Sequence, residues 1–286
     1  MSRGIVLLSI GRSVYAKWAH NMLASIRAVS KLPVTIVTDN YPYKEWHLMP
    51  DVLKKIDYED CHENGKFSPA KAKLSLWKYS DYNETIYLDV DGLLLRELDF
   101  DIQGFMIHVN GYSSLDHDNM DVNLWVEPKK LYEKYQIPKE NRLAGTNSSF
   151  MAWDKSGVKV LKKALENLSN PVPLDELRYQ WGKSGCQPDE LYINVALAQL
   201  GLEPSGEYLY TKKRKGGYSG DTEIRKKHVL CCWGGLEFNA HEISGTGSIK
   251  TGLYNKLCAE NFKNTGVEFN DHFYSLINDK IYARAI

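Results

Sequence analysis

The chain is poor in cysteine, carries no surplus of either charge and lacks any long apolar run, and each shortage removes a class of protein. Its five cysteines in 286 residues are odd in number and show no metal-site spacing, and Cys231 and Cys232 are adjacent. That usage argues against a disulfide framework and fits a reduced, cytoplasmic compartment. Lys plus Arg and Asp plus Glu each number 36, so the formal net charge is zero. A nucleic-acid binder displaces counterions with a basic surplus; none is present, and no nucleic-acid partner is expected. No stretch approaches the roughly 20 apolar residues that span a bilayer, so no integral membrane segment is expected. Met1–Gly4 followed by Ile5–Ile10 is too short for a signal peptide, has no small-residue cleavage site and runs straight into a strand pattern. With no secretion signal expected, the Asn-x-Ser/Thr triplets at Asn83, Asn147 and Asn167 are read as chance or as serving other purposes. What remains, 43% apolar and 25% charged, is a globular mix that excludes disorder and low-complexity classes.

The first forty residues point to an α/β fold. Gly4–Ile10 is nearly unbroken in apolar character, as in a strand buried on both faces. Tyr15–Val29 then spaces Trp18, Met22, Leu23, Ile26 and Val29 along one helical face. Val34–Thr38 follows as a second strand, closed by Asp39-Asn40. Strand–helix–strand favours a parallel sheet. A second unit repeats the logic: Ser68-Pro69 opens a helix, and Thr85–Asp89 is a strand ending in acid. Further strands are expected at Gly104–Val109 and Ser149–Trp153, with helices at Lys155–Leu168 and Asp189–Leu200. No repeat or linker is evident. The expectation is one domain over residues 1–236, a mixed Rossmann-like sheet flanked by helices, with a small appendage at 237–286.

The chemistry concentrates at Ile86-Tyr-Leu-Asp89-Val90-Asp91-Gly92. In open α/β sheets, ligands bind beyond the carboxyl ends of strands. Where a chain turns at such an end, two carboxylates one residue apart can both reach one hard cation, which prefers oxygen ligands. A solvated turn is the plainer reading of the triplet alone.

Several short motifs occur together in one order. They are Leu7-Leu-Ser-Ile-Gly11 with Tyr15; Lys71-Ala-Lys73-Leu-Ser-Leu-Trp77; Ile86–Asp91; Asn147-Ser148-Ser149; Asp189-Glu190 followed by Asn194; and His228-Val-Leu230. In this order the chain resembles the glycogenin-like, family-eight retaining glycosyltransferases of GT-A fold over roughly residues 4–236. The resemblance implies a Mn²⁺ (or Mg²⁺) ion held by Asp89, Asp91 and His228, and a nucleotide-sugar donor, most often UDP-linked. Gly11, Tyr15, Val90 and Ser148 would contact the donor, with Tyr15 on the base. Lys73, Asn147, Asp189 and Glu190 would carry the chemistry around the transferred sugar. The acceptor (glycan, protein or small molecule) and association as a homodimer are left open.

The chain departs from the family at identifiable places. Glu190 stands for glutamine and Ser149 for glycine. Cys231 stands where a glycine follows the late histidine, and Gly234-Gly235 replaces a Lys-Pro whose lysine helps neutralise the leaving diphosphate. A substitute cation among Lys212–Lys215 or Lys226-Lys227, on a basic, glycine-hinged lid over 211–227, is one answer. A non-catalytic GT-A-like binding or scaffold protein is another. A nucleotidyltransferase is a weaker rival, because Gly11-Arg12-Ser13 is a poor triphosphate loop. Plainer roles also exist: Tyr15 as helix packing, Lys73 as an exposed helix face, Asn147 as a turn residue, Asp189 as a helix cap and His228 as a structural histidine.

Overall fold

β-Branched and leucine residues without an intervening charge form the first strand, and the protein uses it as a central one. The structure, a computed structural model, describes residues 2–11, 13–39, 48–119, 124–178, 186–204, 210–211, 229–231 and 257–265. In chain order the elements are β1 (Arg3–Ser9), α1 (Ser13–Val29), β2 (Val34–Thr38), β3 (Val52–Lys55), α2 (Tyr58–Cys61), β4 (His62–Glu63), β5 (Lys66–Phe67), α3 (Pro69–Leu74), β6 (Glu84–Leu88) and β7 (Gly92–Leu94). There follow β8 (Phe105–Ser113), α4 (Pro128–Tyr135), β9 (Leu143–Asp154), α5 (Val158–Leu168), α6 (Asp189–Gln199), β10 (Tyr210–Thr211) and β11 (Val229–Cys231). The fold is α/β, with a mixed six-stranded sheet of order β3-β2-β1-β6-β9-β8 flanked by helices. Among the described residues no helix is long and apolar enough to cross a membrane.

The chain divides into two compact units. The first comprises Met1–Gly4, Ile56–Tyr87 and Asp101–Tyr208; the second comprises Ile5–Lys55, Leu88–Phe100 and Leu209–Ile286. Both β1 and β6 contribute residues to each unit. Asn83 N donates to Ser2 O at 2.9 Å, and Arg3 pairs with Glu84 at 2.7 Å. The two strands therefore start side by side within the first unit.

In the second unit, β1 pairs in parallel with β2, and β2 with β3. The helix α1 buries Trp18, Met22, Leu23 and Ile26 as its spacing requires, while Val29 is only half-buried. Ser25 Oγ donates to Met22 O and accepts from Leu94 N at 2.9 Å, tying α1 to β7. β7 pairs antiparallel with β11, Cys231 opposite Gly92. Residues 257–265 form a helix whose Phe262 is wholly buried and lies edge-on to His20, ring centroids 5.3 Å apart.

In the first unit, β8 and β9 form a long antiparallel pair, and α6 packs on both β9 and α5. Buried positions run unbroken from Leu191 to Ala198 on α6. The strand expected at Ser149–Trp153 extends back to Leu143. The helix expected from Lys155 starts only at Val158. Asp154 Oδ1 first captures Ser156 N at 2.7 Å and Gly157 N at 2.9 Å, a local carboxylate turn that delays the helix.

Candidate functional site

Helix α3 owes its start to Ser68, whose Oγ accepts from Lys71 N, and to Pro69 in the first turn. This fixes Lys73 one turn later, on the flank that does not carry the buried Ala70, Ala72 and Leu74. Lys73 is not a free surface lysine. Its side chain keeps only 13% of its exposure; Nζ donates to Ser148 Oγ at 3.2 Å, stands 3.6 Å from Asp189 Oδ2 and lies 5.2 Å from the Tyr87 ring centroid.

Ser148 reaches it because β9 bulges. Ile107 and His108 are consecutive on β8, but they pair with Met151 and Asn147 on β9. Ser148, Ser149 and Phe150 are thus extra residues on one strand, an arrangement that re-aims side chains and often marks functional sites. The bulge has its own polar support. Asn147 Oδ1 accepts from Ser149 N at 3.0 Å, and Glu190 Oε1 accepts from Ser148 N at 3.2 Å. Asn147 is therefore a paired strand residue that flanks the bulge, not a turn residue ahead of the strand.

Both acids come from the first turn of α6, where the helix dipole favours negative charge. Asp189 does not cap the helix: the cap position is Pro188, with no side-chain cap bond. Asp189 Oδ2 is shielded from solvent and makes no hydrogen bond, so the lysine 3.6 Å away is its compensation. One turn on, Asn194 Oδ1 accepts from Thr146 Oγ1 at 2.5 Å inside the core. Glu190 and Asn194 thus hold alternate residues of β9, 148 and 146. Sequence reasoning missed Thr146; the four-residue spacing of Glu190 and Asn194 against the two-residue spacing on the strand was the available signal.

The remaining candidates lie in the second unit. Gly11 follows β1 with φ of 82°, a left-handed conformation that favours glycine, and its N–H donates to Asp39 Oδ2 at 2.8 Å. Tyr15, half-buried, meets Trp18 edge-on at 5.2 Å, so it has a packing role. Asp89 and Asp91 are half-buried where the chain leaves β6 and turns into β7, and Val90 between them is buried. Two half-buried carboxylates at a strand end are a donor set suited to a hard divalent cation. Among the described residues no group of three His, Cys, Asp or Glu side chains is placed to hold a metal. His228, the third ligand implied by the resemblance, and the basic run 212–227 lie outside the described residues.

The structure therefore brings Lys73, Asn147, Ser148, Asp189 and Glu190 together in one unit. Gly11, Tyr15, Asp89, Val90 and Asp91 belong to the other. In comparisons with models of known protein families and with curated proteins, nothing matches the chain.

Proposed function

We propose that this protein is a metal-dependent glycosyltransferase of the GT-A type, which moves a sugar from a UDP-linked donor to an acceptor with retention of configuration. The observation that carries the reading is the Lys73–Ser148–Asp189–Glu190 cluster. A cation and a carboxylate are shielded from solvent at a strand bulge, and packing alone does not require that cost. Lys73 supplies positive charge to sugar or phosphate oxygens. The carboxylates of Asp189 and Glu190 favour the positive character that the anomeric carbon gains as its bond to phosphate breaks. Asn147 and Ser148 orient sugar hydroxyls. In the second unit, Asp89 and Asp91 are the residues that would hold a Mn²⁺ or Mg²⁺ ion, which when bound stabilises charge on the leaving diphosphate. Gly11, Tyr15 and Val90 contact the nucleotide.

The test is a donor-hydrolysis screen across common nucleotide-sugars with Mn²⁺, run on the parent and on Lys73→Ala. Metal-dependent release of sugar from one donor, lost in the variant, is expected; no release from any donor counts against catalysis. The departures at Cys231 and Gly234-Gly235 favour a second reading, a non-catalytic GT-A-like binding protein. That protein binds UDP in the presence of metal without hydrolysing any donor.

A further inference from the structure

Asn194 is out of place by packing alone. It stands in α6 within the buried run Leu191–Ala198, is wholly shielded from solvent, and every other member of that run is apolar or aromatic. Its Oδ1 accepts from Thr146 Oγ1 on β9 at 2.5 Å, and Thr146 is buried as well. Among the described residues its Nδ2 makes no hydrogen bond. A leucine would fill such a position without leaving a shielded donor unpaired, so the pair is costly as packing. What a buried polar pair supplies that apolar packing does not is register.

At this point β9 needs such a device. Between its two irregularities with β8 the ladder holds only two pairs, His108 with Asn147 and Val109 with Thr146. On one side Asn110 is extra on β8; on the other, Ser148, Ser149 and Phe150 are extra on β9. So short a ladder specifies its own register weakly. Moving β9 by one residue sets against Asn194 either Gly145, which has no side chain, or Asn147, whose Oδ1 is engaged by Ser149 N. Moving it by two sets there Ala144, which has no hydroxyl, or Ser148, whose hydroxyl then leaves Lys73. We infer that the Thr146–Asn194 hydrogen bond locks the register of β9 on α6, and that both are positioning residues for the candidate site. They fix where the ladder breaks, and so deliver Ser148 Oγ to Lys73 and Ser148 N to Glu190, each at 3.2 Å. Both act through Ser148 rather than on the sugar. The consequence for sugar transfer rests on the transferase reading above; the lock itself does not.

The experiment compares the full chain as parent, Thr146→Ser, Thr146→Val, and Thr146→Val combined with Asn194→Leu. It uses urea denaturation, hydrogen exchange resolved at the Ser148 amide, and hydrolysis, with Mn²⁺, of UDP-hexoses and the other common nucleotide-sugars. Thr146→Val keeps the shape and strands the Asn194 carboxamide, so it should be the least stable. The double variant removes both polar groups at similar volume and should regain the parent's stability. Stability and site then part company. In both valine variants the Ser148 amide should exchange faster by on the order of tenfold or more, the range for a lost hydrogen bond to a charged group. Their kcat should fall by a similar factor with KM little changed. Thr146→Ser, which keeps the hydroxyl, should restore both. A double variant no more stable than Thr146→Val overturns the pairing. A Ser148 amide as protected in the double variant as in the parent overturns the lock and leaves the transferase reading standing. Faster exchange with hydrolysis unchanged overturns the positioning role. A parent that releases no sugar from any donor counts against the transferase reading, and the Ser148 exchange then decides the lock alone.

Discussion

Lys73 and Asp189 are a pair whose energetics are decided by what each leaves behind. Their side chains are 13% and 19% exposed, so Lys73→Ala strands a shielded carboxylate oxygen. The single variant is expected to lose roughly 2–3 kcal/mol, somewhat less than the roughly 3–5 kcal/mol of orphaning a fully buried charge, because both side chains keep some exposure. Lys73→Met combined with Asp189→Asn removes both charges and should be more stable than Lys73→Ala, by urea denaturation; a double variant no better than the single one would mean that the pair is not coupled. Gly157 is constrained differently. A Cβ there would lie 2.2 Å from Gly104 O and 2.9 Å from Phe105 N, backbone atoms that cannot rotate away. Gly157→Ala should cost about 2–3 kcal/mol, and a loss under 0.5 kcal/mol would show that the β8 start can shift. Asp154 next to it carries a pH signature. Burial pushes its pKa up, but donors from Ser156, Gly104 and Gly157 outweigh that and hold it below the usual carboxylate range. A depressed folded pKa contributes stability above the unfolded value of about 4, which is lost as pH falls through the folded one. Asp154→Asn should therefore trail the parent at pH 7, with the gap narrowing below about pH 4. A gap independent of pH would assign the effect to shape rather than charge.

The bulge in β9 depends on α6 for its support, and Glu190 separates geometry from charge there. Glu190→Ala leaves the N–H of the buried Ser148 unpaired, a loss of about 1–3 kcal/mol. Glu190→Gln keeps an acceptor and restores the residue expected from the family resemblance, so it should retain both stability and donor hydrolysis. Loss of hydrolysis in Glu190→Gln at unchanged stability would instead give the negative charge a role of its own. Elements like these were unevenly legible in the sequence. β1, α1, β2, α3 and α6 announce themselves through apolar runs or period, the Ser68-Pro69 start or Pro188, because each of these signals is local in sequence. The bulge at Ser148–Phe150 does not, since it arises from pairing with β8, a partner forty residues distant in sequence. The engagement of Lys73 was hidden for the same reason: its partners sit on β9 and α6. The hairpin β4–β5 was missed although Asn64 and Gly65, both at positive φ, are a known turn signal. Its strands of two residues each are too short to show alternation.

Across the whole molecule, the candidate residues sort with the two compact units. The bulge cluster belongs to the first, and Gly11, Asp89 and Asp91 to the second. The chain passes from one unit to the other within β6, between Tyr87 and Leu88, immediately before the acidic pair. Asparagine keeps the size of the half-buried Asp91 side chain and one of its oxygens, so Asp91→Asn should leave folding intact. Its contribution is charge toward a cation, and its loss should appear as lost ligand response. With Mn²⁺ and UDP at about a hundred times the dissociation constant, the parent gains roughly 2.7 kcal/mol from mass action, which is several degrees in melting temperature for a chain of this size. Asp91→Asn should keep the unliganded melting temperature and show none of the metal-dependent rise. Hydrogen exchange then locates the response: UDP with Mn²⁺ should slow amides at the end of β1 in the parent and leave them unchanged in Asp91→Asn. A variant that matches the parent in both measurements removes the cation from Asp91, and with it the assignment of the diphosphate to the end of β6. A response confined to the first unit would place the nucleotide with Lys73 and Glu190 instead.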